Sequence, residues 1–164
     1  MTTDTAPAGM KIARGLLAGV VAGAVASFAM DRFQAAVTAL SPPSDDDSDP
    51  ATVKAAEDVV GQLPEDAKPL AGQAMHYLLG IGLGAAYGIA AEFRPGVTAG
   101  YGAGFAIGSA TLLDQVAVPA VGLGDPAWRA SPGTTLYSYL SHAVFGGVTE
   151  LVRHQVRATL VPSS

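Results

Sequence analysis

Four apolar stretches, each long enough to cross a bilayer, dominate the chain at residues 12–30, 70–91, 97–121 and 134–152. A spanning helix needs about 20 predominantly apolar residues at 1.5 Å rise each. The expected fold is therefore all-α: a four-helix transmembrane bundle in one domain over residues 1–164. Its helices are expected over 12–34, 70–92, 97–121 and 134–155, with an acidic loop and a short amphipathic surface helix between, at 41–69. Only 14% of residues are charged, against about 25% in soluble domains. An Ala/Gly-rich soluble helical protein is the alternative, but it would have to hold four such stretches away from lipid. The first stretch exceeds the 7–15 apolar residues of a signal-peptide core and runs into Asp31-Arg32-Phe33, so it reads as a retained helix.

The connections carry their own signals. Phe33, Ala36, Val37 and Leu40 extend the first helix until Ser41-Pro42-Pro43 ends it. Asp45-Asp46-Asp47-Ser48-Asp49 comes next as a solvated acidic loop, and Asp49-Pro50 reads as the cap and start of the short helix. Val53, Ala56, Val59, Val60 and Leu63 give that helix an apolar face, and Gly61 marks its end. Phe93-Arg94-Pro95-Gly96 reads as a tight turn between antiparallel neighbours. Lys11, Arg14, Arg94, Arg153 and Arg157 fall on one side of such a bundle, which puts both termini on the cytoplasmic side.

Glycine recurs every four residues at Gly15, Gly19 and Gly23, at Gly80, Gly84 and Gly88, and at Gly96, Gly100, Gly104 and Gly108. Residues four apart share a helix face, and small residues there let membrane helices approach closely. These ridges predict a compact bundle. A surplus glycine face would instead serve a homo-oligomer or another membrane protein, the one partner class expected besides the lipid bilayer.

Asp31, His76, Asp114 and His142 stand within or at the ends of the apolar stretches. An ionisable group there costs about 2.5–3.5 kcal/mol on insertion scales, so each is a candidate functional residue. Counting 1.5 Å per residue brings all four into the outer half of the membrane. Gln73, Tyr77, Gln115 and Tyr139 could join them. Such a cluster has three readings: cross-helix hydrogen bonds that fix packing, a proton- or ion-responsive Asp–His site, or a metal or haem site. No His-x-x-x-His or Glu-x-x-His pair lies on one helix, and the sequence requires no cofactor. Glu150 with Arg153, and Glu92 with Arg94, are expected as charge pairs at the inner boundary, with Glu150–Arg94 pairing as an alternative.

A net charge of −5 without a basic patch disfavours nucleic-acid binding, and no nucleic-acid partner is expected. Cysteine is absent, so no disulfide or thiolate site exists. No nucleophile elbow, phosphate loop or dinucleotide fingerprint appears, which weighs against an enzyme.

His76-Tyr77, Gly80, Gly84, Tyr87-Gly88 and Glu92 are followed by Asp114-Gln115-Val116-Ala117-Val118-Pro119 and Gly122-Leu123. His142-Ala143-Val144-Phe145-Gly146 and Glu150-Leu151-Val152-Arg153 complete the series. This order resembles the YagU-like family of small bacterial membrane proteins, which carry a domain of unknown function. The resemblance implies a helical inner-membrane protein, with a link to acid tolerance in one branch, and no reaction. The acidic loop departs from it. The leading expectation is a membrane protein that handles or senses protons or ions; the rivals are an accessory or scaffold subunit of a larger membrane complex and a metal- or haem-binding membrane protein.

Overall fold

A computed structural model describes residues 6–41, 48–124 and 128–160, and all secondary structure among them is helical. The elements are α1 (Ala8–Leu40), α2 (Ala51–Val60), α3 (Lys68–Phe93), α4 (Ala103–Ala110), a π-helical segment (Thr111–Ala117), α5 (Val118–Ala120) and α6 (Pro132–Leu160). The central part of the acidic loop, Asp45 to Asp47, lies outside the described residues.

The α1–α3 pair is built on glycine. Gly15, Gly19 and Gly23 of α1 face Gly88, Gly84 and Gly80 of α3, each four-residue step forward on one helix matched by four back on the other. A Cβ at Gly15 would sit 2.6 Å from the Gly88 carbonyl oxygen, and one at Gly84 would sit 2.5 Å from that of Gly19. Backbone packs directly on backbone, which only Gly permits.

α6 runs antiparallel along α1, with Phe33 stacked on Tyr137 and Ala26 and Met30 packed against Phe145. α4 runs antiparallel along α6, where Gly146 meets Gly102 and Ala106; a Cβ on Gly146 would lie 2.7 Å from that of Ala106. Gly102 also takes φ +84 as it opens α4, so both backbone shape and closeness demand glycine there. The long helices alternate in direction. The space between α3 and the α4–α6 pair is bridged by larger side chains: Tyr87 stacks on Phe105 at 4.3 Å, and Phe105 tilts against Phe145 at 5.9 Å.

Only α1 and α3, among the described residues, are helices long and apolar enough to cross a membrane. The third stretch is shorter than expected. Pro95–Thr98 forms a 3-10 turn, Gly100, Tyr101 and Gly102 all have positive φ, and regular helix begins only at Ala103. Gly96 and Gly100 are thus off the expected ridge, and Gly104 and Gly108 look into open space. α6 is long but polar: it buries Ser141, His142, Thr149, Glu150 and Arg153.

α2 begins at Ala51, with Pro50 rather than Asp49 as its cap, and ends at Gly61 with φ +90. Asp49 instead accepts from Lys68 at 2.9 Å, and Lys68 also reaches Glu65 at 2.7 Å. Val53 and Ala56 seat α2 on α3, Val53 against Gly72, while Val59 and Val60 stay exposed. The expected apolar face is only half used.

Candidate functional site: two Asp–His pairs on one cavity

The glycine register of α1 and α3 also sets which polar residues meet beyond it. Continued past Gly23 and Gly80, it seats Ser27 against Gly80 and brings Asp31 to Gln73 and His76. The Asp31 Oδ1 lies 3.2 Å from His76 Nε2, and the Gln73 amide donates to Asp31 Oδ2. The imidazole and carboxylate are close but poorly aligned, so the buried Nε2 has no well-formed hydrogen bond. The His76 ring meets Tyr77 edge-on at 5.9 Å.

The second pair depends on a local distortion. Asp114 sits in the π-helical segment, and Pro119 explains why that segment exists. In an α-helix the proline ring would collide with the Gln115 carbonyl and offer it no N–H. Widening the turn relieves that clash, and such π segments recur at functional sites. Asp114 thereby reaches α6, where the Ser138 hydroxyl donates to its Oδ2. His142 Nδ1 lies 3.5 Å from the same oxygen and 3.1 Å from the Ser138 carbonyl. A carbonyl only accepts, so Nδ1 carries the hydrogen in this contact. Thr111 and Tyr139 hydroxyls meet at 3.0 Å one turn away and brace the two helices.

Both pairs line one open cavity of about 1080 Å³ at the end of the bundle where α1 stops and α6 starts. Close helix contacts made by small residues leave this gap between α3 and α6, and α2 covers part of it. The expected single cluster of His76, Asp114 and His142 is therefore resolved differently. His76 pairs with Asp31, His142 pairs with Asp114, and the pairs share a cavity rather than a contact. Among the described residues, no three His, Cys, Asp or Glu side chains come together as metal ligands.

The opposite end carries a second polar group. Arg153 forks onto Glu150 at 2.7 and 2.8 Å, and the Tyr87 hydroxyl donates to Glu150 at 2.8 Å. The side chains of Arg153 and Glu150 are 7% and 10% exposed, so the pair is sealed between helices. Glu92 takes both of its bonds from Arg157, not from Arg94. Arg94 is exposed beside the turn and makes no ion pair among the described residues. The reason is direction: Arg94 lies past the end of α3, whereas Arg157 sits one helix away at the height of Glu92. Sequence reading did not assign Ser138, Tyr87 or Arg157 to these sites. Ser138 carried a signal, since it precedes His142 by one helical turn.

No protein-family model, curated protein or solved structure matches the chain. Fold and site define its class: an all-helical bundle with two helices able to span a membrane and paired carboxylates and imidazoles on a cavity at one end.

Proposed function

We propose that this chain is a multi-pass integral membrane bundle that takes up and passes, or senses, protons or small ions through its two Asp–His pairs. The observation that carries the reading is the position of both pairs on one cavity. Carboxylate and imidazole exchange protons readily near neutral pH, and such groups inside an apolar bundle are expensive unless they serve.

The membrane part of the reading rests on an inverted pattern of residue size. α1 buries Gly15, Ala18, Gly19, Ala22, Gly23, Ala26 and Ser27, with Met30 the large apolar exception, and exposes Leu16, Leu17, Val21, Val25 and Phe28. A helix in a water-soluble bundle would bury the large apolar side chains. A helix in lipid gains nothing by hiding them and packs through its small residues. In this reading α1, α3, α6 and the continuous run from α4 to α5 all cross, α6 with its polar face turned inward, and both termini lie on the cytoplasmic side of a bacterial inner membrane. Membership of the YagU-like proteins is part of the proposal and rests on motif order alone.

The test is proton flux in liposomes that enclose a pH-sensitive dye, driven by a pH step. Flux is expected for the unmodified chain and a marked loss for His142→Gln, which keeps a hydrogen-bonding group but cannot titrate. Glu65→Gln, exposed on the loop before α3, is expected to leave flux unchanged. Equal flux from His76→Gln, His142→Gln and the parent would reduce both pairs to packing elements.

A further inference from the structure

The cavity between α3 and α6 has a composition that protons alone do not require. Its lining includes the carboxylates of Asp31 and Asp114 together with Leu79, Leu83 and Phe145. Asp31 has one amide donor, a poorly aligned imidazole and the Tyr77 phenol beside it, and Asp114 has one hydroxyl donor and an imidazole at 3.5 Å. A carboxylate has about four lone-pair sites, so each keeps acceptor capacity facing the cavity.

An independent observation points the same way. Ser141 is 1% exposed and lines the cavity, yet its hydroxyl has no hydrogen-bond partner among the described residues. The Tyr137 phenol one turn away interacts with it without forming a well-made bond. A buried hydroxyl without a partner is costly, and a ligand donor or acceptor would recover that cost.

We propose that this cavity binds an organic ammonium ion with an apolar body, its nitrogen held by the carboxylates that Asp31 and Asp114 present to the cavity and its body against Leu79, Leu83 and Phe145. The inference rests on the reading above, that the Asp–His pairs serve this cavity, and names the ligand class. An ammonium brings donors and no acceptor, which suits carboxylates that keep acceptor capacity. A bare metal ion does not fit, because no three ligand side chains gather among the described residues. A volume of about 1080 Å³ suits a small organic molecule. Lys54 and Arg129 also line the cavity, from α2 and from the connection before α6. Arg129 is exposed and Lys54 half-buried, so their charges stay hydrated. They make an anion the competing occupant, which the experiment addresses.

The test is equilibrium binding to the full chain in lipid nanodiscs, with empty nanodiscs subtracted, using three probes of one shape: benzylammonium, benzyl alcohol and benzoate. Saturable benzylammonium binding is expected, with benzyl alcohol weaker by about tenfold or more, the loss expected of a charge-assisted contact. Asp114→Asn and Asp31→Asn should each weaken benzylammonium by a similar factor and leave benzyl alcohol unchanged. Equal affinity for the alcohol, tighter binding of benzoate, or no saturable benzylammonium binding would each overturn the proposal, and all three are read on the unmodified chain. Proton flux without amine, on the same preparation, separates the two readings. Amine binding without flux would support the ligand class and remove the proton reading. Flux without amine binding would do the reverse.

Discussion

Gly19 and Gly84 touch backbone to backbone, so close that a Cβ on Gly84 would stand 2.5 Å from the Gly19 carbonyl oxygen. Gly104, at the same spacing within its own sequence ridge, meets nothing within 4 Å. Gly84→Leu is therefore expected to force α1 and α3 apart, at about 1–3 kcal/mol or more for overpacking. Gly104→Leu, which the ridge pattern alone marks as disruptive, is expected to leave the melting temperature in detergent within a degree or two of the parent, since surface changes stay within about 0.5 kcal/mol. A lower midpoint for Gly104→Leu than for Gly84→Leu would show that the helix pairing is wrong.

Arg153 and Arg94 separate a sealed charge from a free one. Arg153→Met strands Glu150 with only the Tyr87 hydroxyl, and removing one partner of a buried pair costs about 3–5 kcal/mol. Arg94→Met removes an exposed group with no ion pair among the described residues and should cost less than about 0.5 kcal/mol. Denaturant titration of the two variants in detergent checks the difference. Similar midpoints would mean that water reaches Glu150 and that this end of the bundle is not sealed.

These contrasts mark how far sequence reading reaches. The spacing of Gly15, Gly19 and Gly23 against Gly80, Gly84 and Gly88 holds because both runs lie on uninterrupted helix, where four residues return to the same face. Gly96 and Gly100 carried the same spacing but lie in a turn, and spacing means nothing off a helix. The polar residues at one end of the bundle were legible, since alternating helix directions and the 1.5 Å rise bring them to one level. Their pairing was not. It depends on how far each helix is rotated, which the glycine contacts and the π-helical segment set. Glu92 illustrates the same limit. Arg94 is near in sequence, but Arg157 is near in space.

Pro119 offers a way to move one site residue without touching it. Pro119→Ala restores an N–H and removes the ring clash, so residues 111–117 are expected to tighten toward α-helix. A residue taken out of the widened turn rotates Asp114 away from α6. The Asp114–Ser138 and Asp114–His142 contacts should be lost while overall stability holds or rises slightly. Isotope-labelled imidazole spectra of His142 should differ from the parent, while those of His76 should not. An unaltered His142 spectrum would show that the widened turn has another cause.

The absence of native cysteine makes the crossing of the membrane directly testable, because a single introduced thiol is the only one present. Asp66 is exposed just before α3, and Arg94 is exposed just after it. α3 is 26 residues long, about 39 Å at 1.5 Å per residue, which exceeds the roughly 30 Å of hydrocarbon. If α3 crosses, Asp66→Cys and Arg94→Cys stand on opposite faces. A membrane-impermeant maleimide added to intact cells should label Asp66→Cys, on the side away from the basic termini, and reach Arg94→Cys only after the cells are opened. Labelling of Arg94→Cys alone in intact cells would invert the orientation. Labelling of both without opening the cells would mean that α3 does not span, and the membrane reading would fall with it.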